Sequence, residues 1–79
     1  MRVTIYTKAN CPNCVAAKKL AHVKGFEVQE VDIEVGERRA NFMAEYPEAR
    51  QMPQIFIGDQ RVGGLAGFQA ALQILEGKA

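Results

Sequence analysis

Cys11-Pro12-Asn13-Cys14 follows the hydrophobic stretch Arg2-Val3-Thr4-Ile5-Tyr6-Thr7 and precedes a run of helical spacing, and this junction decides how the chain is read. Val3 and Ile5 point one way and Thr4 and Tyr6 the other, the alternation of a strand. After Cys14, Ala17, Leu20, Ala21 and Lys24 fall on one helical stripe. Cys11 is therefore expected at or beside a helix N-cap, with Pro12 at the first helical position, where its missing N–H costs nothing. Unpaired N–H groups and the positive end of the helix dipole favour an anion there. A thiolate is such an anion, so the pKa of Cys11 is expected below that of free cysteine, which makes Cys11 the nucleophile. Cys14 lies one turn further in and is expected to resolve a mixed disulfide formed on Cys11. Asn13, between the thiols, is expected at the exposed rim, where it can touch a substrate.

Other uses of the cysteine pair are weaker. A structural disulfide between residues three apart closes a very small loop and stabilises little. Cys-x-x-Cys is half of many zinc centres, but zinc needs four ligands and the chain adds only His22 to its two cysteines. His22 lies two turns beyond Cys14 among lysine and alanine and reads as a surface residue, so no metal site is expected. A competing class is a carrier that binds an iron–sulfur cluster or zinc through Cys11 at a dimer interface. Freshly purified protein carrying the cluster would absorb visible light.

Seventy-nine residues suit one domain over residues 1–79, and the 48% hydrophobic content is enough for a packed core. Ten basic against nine acidic residues leave a formal charge of +1, which argues for neither nucleic acid nor a membrane surface as partner. The pairs Lys18-Lys19 and Arg38-Arg39 read as solvated helix faces. No apolar run reaches membrane-spanning length. Met1 leads almost directly into the first strand, so no signal peptide is expected and the cytoplasm is the expected compartment. Under its reducing conditions a lone Cys-x-x-Cys is catalytic rather than structural. A monomer is expected.

Gly25 stops the first helical pattern, and residues 26–33 read as a second strand. Its alternation is broken, with Phe26 and Val28 on one parity and Val31 and Ile33 on the other, which calls for a bulge or an early end near Gln29-Glu30. Asp32 and Glu34 are expected to face solvent or to cap the next helix. Residues 36–46 carry Arg39, Phe42, Met43 and Tyr46 at helical spacing, read as core, and Pro47 ends the element. Ile55-Phe56-Ile57 suits a strand buried on both faces. Gly58-Asp59 is a tight turn with glycine first, from which Gln60 to Gly63 return antiparallel. Leu65, Phe68, Ala71, Leu72 and Leu75 then repeat at helical steps. The order β-α-β-α-β-β-α predicts an α/β protein: one four-stranded mixed sheet, its first two strands parallel, its last two a hairpin, and helices on its faces.

Met52-Pro53 directly precedes the buried strand, and the sequence leaves open whether this proline ends the loop in trans or forms an entry turn through a cis bond. In the cis geometry the backbone groups of Met52 are free to pair with an extended thiol peptide. Taken together, Tyr6-Thr7-Lys8, Cys11-Pro12-Asn13-Cys14, Met52-Pro53-Gln54-Ile55-Phe56-Ile57-Gly58 and Val62-Gly63-Gly64 closely resemble the glutaredoxins, from residue 2 to about 75. The resemblance implies a thioredoxin-like fold and glutathione-linked thiol–disulfide exchange, with glutathione as co-substrate and no tightly bound cofactor. It implies that Cys11 attacks a glutathionylated or disulfide substrate and that Cys14 resolves protein disulfides. It also assigns Lys8 to the glycine carboxylate of glutathione, Met52 and Pro53 to its cysteinyl backbone, and Gly63 and Gly64 to close approach of the ligand.

Three departures from the family pattern bear on substrate. Asn13 stands where an aromatic residue is usual, and Gln51-Met52 where threonine-valine is usual. Leu65-Ala66-Gly67 stands where an aspartate usually holds the γ-glutamyl group, which leaves only helix N–H groups at Ala66 and Gly67 for that group's carboxylate. Losing one charge-assisted contact costs about 1.5–3 kcal/mol, or about tenfold to a hundredfold in affinity. Gly67-Phe68 is also similar to the glutaredoxin-like redoxins that supply electrons to ribonucleotide reductase and are themselves reduced by thioredoxin reductase. Those proteins commonly carry a tryptophan before this segment, and this chain has none.

Overall fold

A computed structural model describes residues 1–77. The elements are β1 (Arg2–Thr7), α1 (Pro12–Val23), β2 (Glu27–Asp32), α2 (Arg38–Glu45), β3 (Gln54–Ile57), β4 (Gln60–Gly63) and α3 (Leu65–Leu75). They form one four-stranded sheet in the order β2-β1-β3-β4, with β1 parallel to β2 and antiparallel to β3, and β3 antiparallel to β4. The element order and mixed sheet are those expected.

Two apolar clusters lie on opposite faces of the sheet. Val3, Ile5 and Ile55 project toward α1 and α3 and pack with Ala17, Ala21, Phe68 and Leu72. Tyr6 and Phe56, of opposite parity, project toward α2 and pack with Phe42, Met43 and Tyr46. β3 is central and covered on both sides, which explains its unbroken apolar run. β2 is an edge strand in continuous register with β1, from Arg2 opposite Glu27 to Thr7 opposite Asp32. It has neither the bulge nor the early end expected near Gln29-Glu30. Its broken alternation has another cause: Val28 joins the α1/α3 cluster, while Val31 lies with Tyr6 and Phe42 on the α2 side. The bulge falls in β4, where the register shifts between Ile55–Gly63 and Phe56–Arg61.

Several boundaries differ from the sequence reading. α2 starts at Arg38 rather than residue 36, because Gly36 has φ +59, outside the helical region. Tyr46 leaves the helix at φ −128, as a residue before proline does. Asp32 and Glu34 face solvent, the first of the two expected alternatives, and neither caps α2. The Asp32 carboxylate accepts from the Glu34 N–H at 2.9 Å, forming a turn of its own. Lys24 is not part of the apolar stripe; it caps α1, and its Nζ lies 2.6 Å from Glu76 near the end of α3. Leu75 ends α3 but is 52% exposed. Gly58 begins the hairpin turn with φ +59, as a glycine-first turn requires.

Candidate redox-active site

The loop from β1 to α1 is held at several points, and these set where Cys11 sits. The buried Thr7 hydroxyl donates to Glu30 Oε2 at 3.0 Å, and Lys18 Nζ lies 3.1 Å from the same oxygen, tying β1, β2 and α1 together. The Ala9 N–H donates to the Glu34 carboxylate at 3.0 Å. Asn10 turns the chain with φ 56, a conformation asparagine tolerates better than most residues. Cys11 follows as the N-cap of α1 (φ −119, ψ 96), and Pro12 takes the first helical position.

Cys11 and Cys14 are joined as a disulfide, with their Cα atoms 5.2 Å apart. The Cys14 N–H points at Cys11 Sγ from 3.2 Å. When the pair is reduced, this donor at the positive end of a helix favours negative charge on Cys11. Cys11 Sγ also lies 3.7 Å from the Met52 carbonyl oxygen, with Met52-Pro53 in the cis form. Cys11 is 9% exposed and Cys14 2%, so Cys11 is the more accessible sulfur. Behind the pair lie Ile33, Phe42, Ala49 and Phe56, an apolar backing shared with α2.

A groove of about 280 Å³ is lined by Asn13, Gln51, Met52, Pro53, Gln54, Gly64, Leu65, Ala66 and Gly67. It brings together Asn13 from the first turn of α1, the Met52-Pro53 segment and the N-terminus of α3. Lys8 is exposed in the loop before Cys11 and is not among the lining residues. Gly64 is the N-cap of α3 and no side chain caps that end. The two glycines before α3 differ in what they need: Gly63 has φ +96, whereas Gly64 is extended and would place a Cβ in ordinary contact, 3.6 Å from the Pro53 carbonyl oxygen. The glycine that permits close approach within the chain is Gly67, where an added Cβ would collide with the Val62 carbonyl oxygen.

On the α2 face of the sheet, Tyr6, Phe42, Tyr46 and Phe56 form a ring of aromatic contacts with centroid separations from 4.6 Å to 5.6 Å. Partial burial, then a hydrogen bond and charge from Glu45, push the Tyr46 phenol above its ordinary 10.0. His22 is exposed, as read from sequence. Among the described residues no group of three or more His, Cys, Asp or Glu side chains is placed to hold a metal, and no helix is long and apolar enough to cross a membrane. Sequence reasoning does not mark Glu34, Asn10, Glu30 or Arg61 as residues near the site. The partners of Glu34, Glu30 and Arg61 lie 7 to 25 positions away in sequence, so no local pattern marks them, and the positive φ of Asn10 shows only in the folded backbone.

A mixed four-stranded sheet flanked by three helices, with a cysteine pair at the N-terminus of the first and a cis-proline beside it, defines a thioredoxin-fold dithiol protein. The glutaredoxin family model matches residues 3–62. Glutaredoxin 3 of Escherichia coli strain K12 is 40% identical over 62 residues, covering 78% of this chain and 75% of that protein. The solved structure of reduced E. coli glutaredoxin matches with a TM-score of 0.79 at 31% identity, covering 94% of this chain and 95% of that one. The E. coli NrdH-redoxin, a glutaredoxin-like protein described as having a thioredoxin-like activity profile, matches with a TM-score of 0.71 at 26% identity, over 91% of this chain and 93% of that one. This chain belongs to the glutaredoxin family and is a thiol–disulfide oxidoreductase built on Cys11 and Cys14.

Proposed function

We propose that this oxidoreductase is glutathione-linked, reducing protein disulfides and glutathione mixed disulfides in the cytoplasm. The observation that carries this reading is the groove joining Asn13 and the Met52-Pro53 backbone to the uncapped N-terminus of α3. An extended tripeptide thiol fits such a groove chemically. Its cysteinyl backbone pairs with Met52, and the γ-glutamyl carboxylate meets helix N–H groups at Ala66 and Gly67. Lys8 enters only as a positive charge in the loop before Cys11.

In the forward reaction the Cys11 thiolate attacks one sulfur of the substrate disulfide, and the other sulfur leaves as a thiolate. Cys14 then attacks Cys11, releasing the substrate's second thiol and leaving the Cys11–Cys14 disulfide. Glutathione thiolate attacks that disulfide at Cys11, and a second glutathione completes the reduction, leaving glutathione disulfide.

A second reading is favoured by one specific feature: no side-chain carboxylate stands in Leu65-Ala66-Gly67 to hold the ammonium group of glutathione. In it the protein takes electrons from thioredoxin reductase and passes them to ribonucleotide reductase. One assay separates the two. The oxidised protein is offered glutathione in one cuvette and NADPH with thioredoxin reductase in another. Glutathione is expected to reduce it; reduction by thioredoxin reductase alone would overturn the proposal in favour of the second reading.

A further inference from the structure

Arg61 lies beside the β4 bulge, opposite Phe56, on the face of the sheet that carries α2. Bulges re-aim side chains, and here the guanidinium is directed at the segment joining α2 to β3. Its Nη2 donates to Glu48 Oε1 at 2.7 Å and its Nη1 to Gln54 Oε1 at 3.4 Å, while Cζ lies 5.5 Å from the centroid of the Tyr46 ring. The buried Gln54 extends the chain of contacts, since its Nε2 donates to the Gln51 carbonyl oxygen at 2.8 Å. Positions 46, 48, 51 and 54 bracket Met52-Pro53 on both sides. Within residues 47–53 the backbone hydrogen bond found among the described residues is Ala49 N–H to the Tyr46 carbonyl oxygen. Side-chain contacts, rather than a ladder, therefore tie this segment to the sheet.

We propose that Arg61 is a positioning residue for thiol–disulfide exchange. Acting through Glu48, Tyr46 and Gln54, it holds Met52-Pro53 beside Cys11 in the register an extended disulfide peptide needs to lie against the Met52 backbone. An exposed ion pair alone contributes little. A planar guanidinium that engages a carboxylate, an amide and a ring at once fixes an orientation that a lysine ammonium does not. The effect falls on substrates that pair with the Met52 backbone and spares small disulfides that meet only the Cys11 sulfur.

This inference rests on Cys11 as nucleophile and on Met52 as the pairing edge. The test uses the full chain in its dithiol form, with insulin as the extended disulfide probe and 5,5′-dithiobis(2-nitrobenzoic acid) as the small one. For each variant the ratio of the two second-order rate constants is measured. Arg61→Ala is expected to lower the insulin-to-small-disulfide ratio about tenfold while the small-disulfide rate stays within about twofold. Arg61→Lys is expected to recover thermal stability but not the ratio. An unchanged ratio in Arg61→Ala, an equal slowing of both rates, or full recovery with lysine would overturn the proposal. Should Arg61→Ala fail to fold, Glu48→Gln is expected to lower the ratio about threefold, and an unchanged ratio there would overturn it too. Wild-type rates in Cys11→Ser would instead sink the nucleophile assignment on which the inference stands.

Discussion

A Cβ at position 67 would collide with the Val62 carbonyl oxygen, so α3 can lie this close to β4 only with glycine in its first turn. Replacing Gly67 with alanine improves intrinsic helix propensity by about 1 kcal/mol. It also forces the helix off the strand, a displacement of packed elements that costs about 1–3 kcal/mol. Gly67→Ala is therefore expected to melt at a lower temperature than the parent; a higher melting temperature would show that the helix shifts without cost. The two cysteines divide differently. Cys11→Ser is expected to abolish exchange. Cys14→Ser is expected to keep turnover on glutathione mixed disulfides and to lose most reduction of protein disulfides, measured with a glutathionylated peptide and with insulin. Cys11 and Cys14 were legible because a two-residue spacing at a strand-to-helix junction is a local signal. The demand at Gly67 was not, since it comes from a strand that only the folded chain brings against it.

Among the elements, α2 is held least well by its own sequence. It has eight residues, no side-chain cap at its N-terminus, and no acidic residue in its first turn or basic residue in its last. Arg38 and Arg39 open it and Glu45 closes it, the reverse of what the helix dipole favours. A cleft of about 270 Å³ separates part of it from the sheet, lined by Tyr6, Val31, Phe42 and Tyr46 among others. Packing of Phe42, Met43 and Tyr46 must therefore supply most of its stability. Arg38 has a use, donating to the Asp32 carbonyl oxygen at 3.3 Å. Arg39 makes no such bond among the described residues, so Arg39→Glu is expected to raise stability by about 0.3–1 kcal/mol through the dipole. Urea denaturation at low ionic strength checks this, and the gain should shrink in high salt. The periodicity of residues 36–46 revealed that a helix was present. Its shorter extent depended on the positive φ of Gly36, which the sequence pattern does not announce.

At the scale of the whole molecule the sheet separates two cores with different duties. The α1/α3 side carries the fully buried Val3, Ile5, Ile55 and Phe68, while the α2 side carries the backing of the cysteine pair. Phe68 is 0% exposed and sits among residues from β1, α1 and β3. Removing its ring costs about 3–5 kcal/mol. A chain this small sits near the lower end of the usual stability range of about 5–15 kcal/mol. Phe68→Ala is thus expected to melt at least about 12 °C lower, as each kcal/mol moves the midpoint of such a chain by about 4–8 °C. A scanning calorimetry trace unchanged by the substitution would mean that Phe68 does not anchor this core.

Local spacing in the chain already specifies the element order, the strand-to-helix junction at Cys11, the central place of Ile55-Phe56-Ile57 and the apolar stripe of α3. Each of these is written in spacings of two to four residues, which is the range over which backbone periodicity acts. The assembled fold alone reveals that the two parities of β2 serve two different cores, that the bulge lies in β4, and that Glu30, Glu34, Arg61 and Gly67 meet Thr7, Ala9, Gln54 and Val62. Those roles depend on partners brought together from distant parts of the chain, and such proximity exists only once the sheet has assembled.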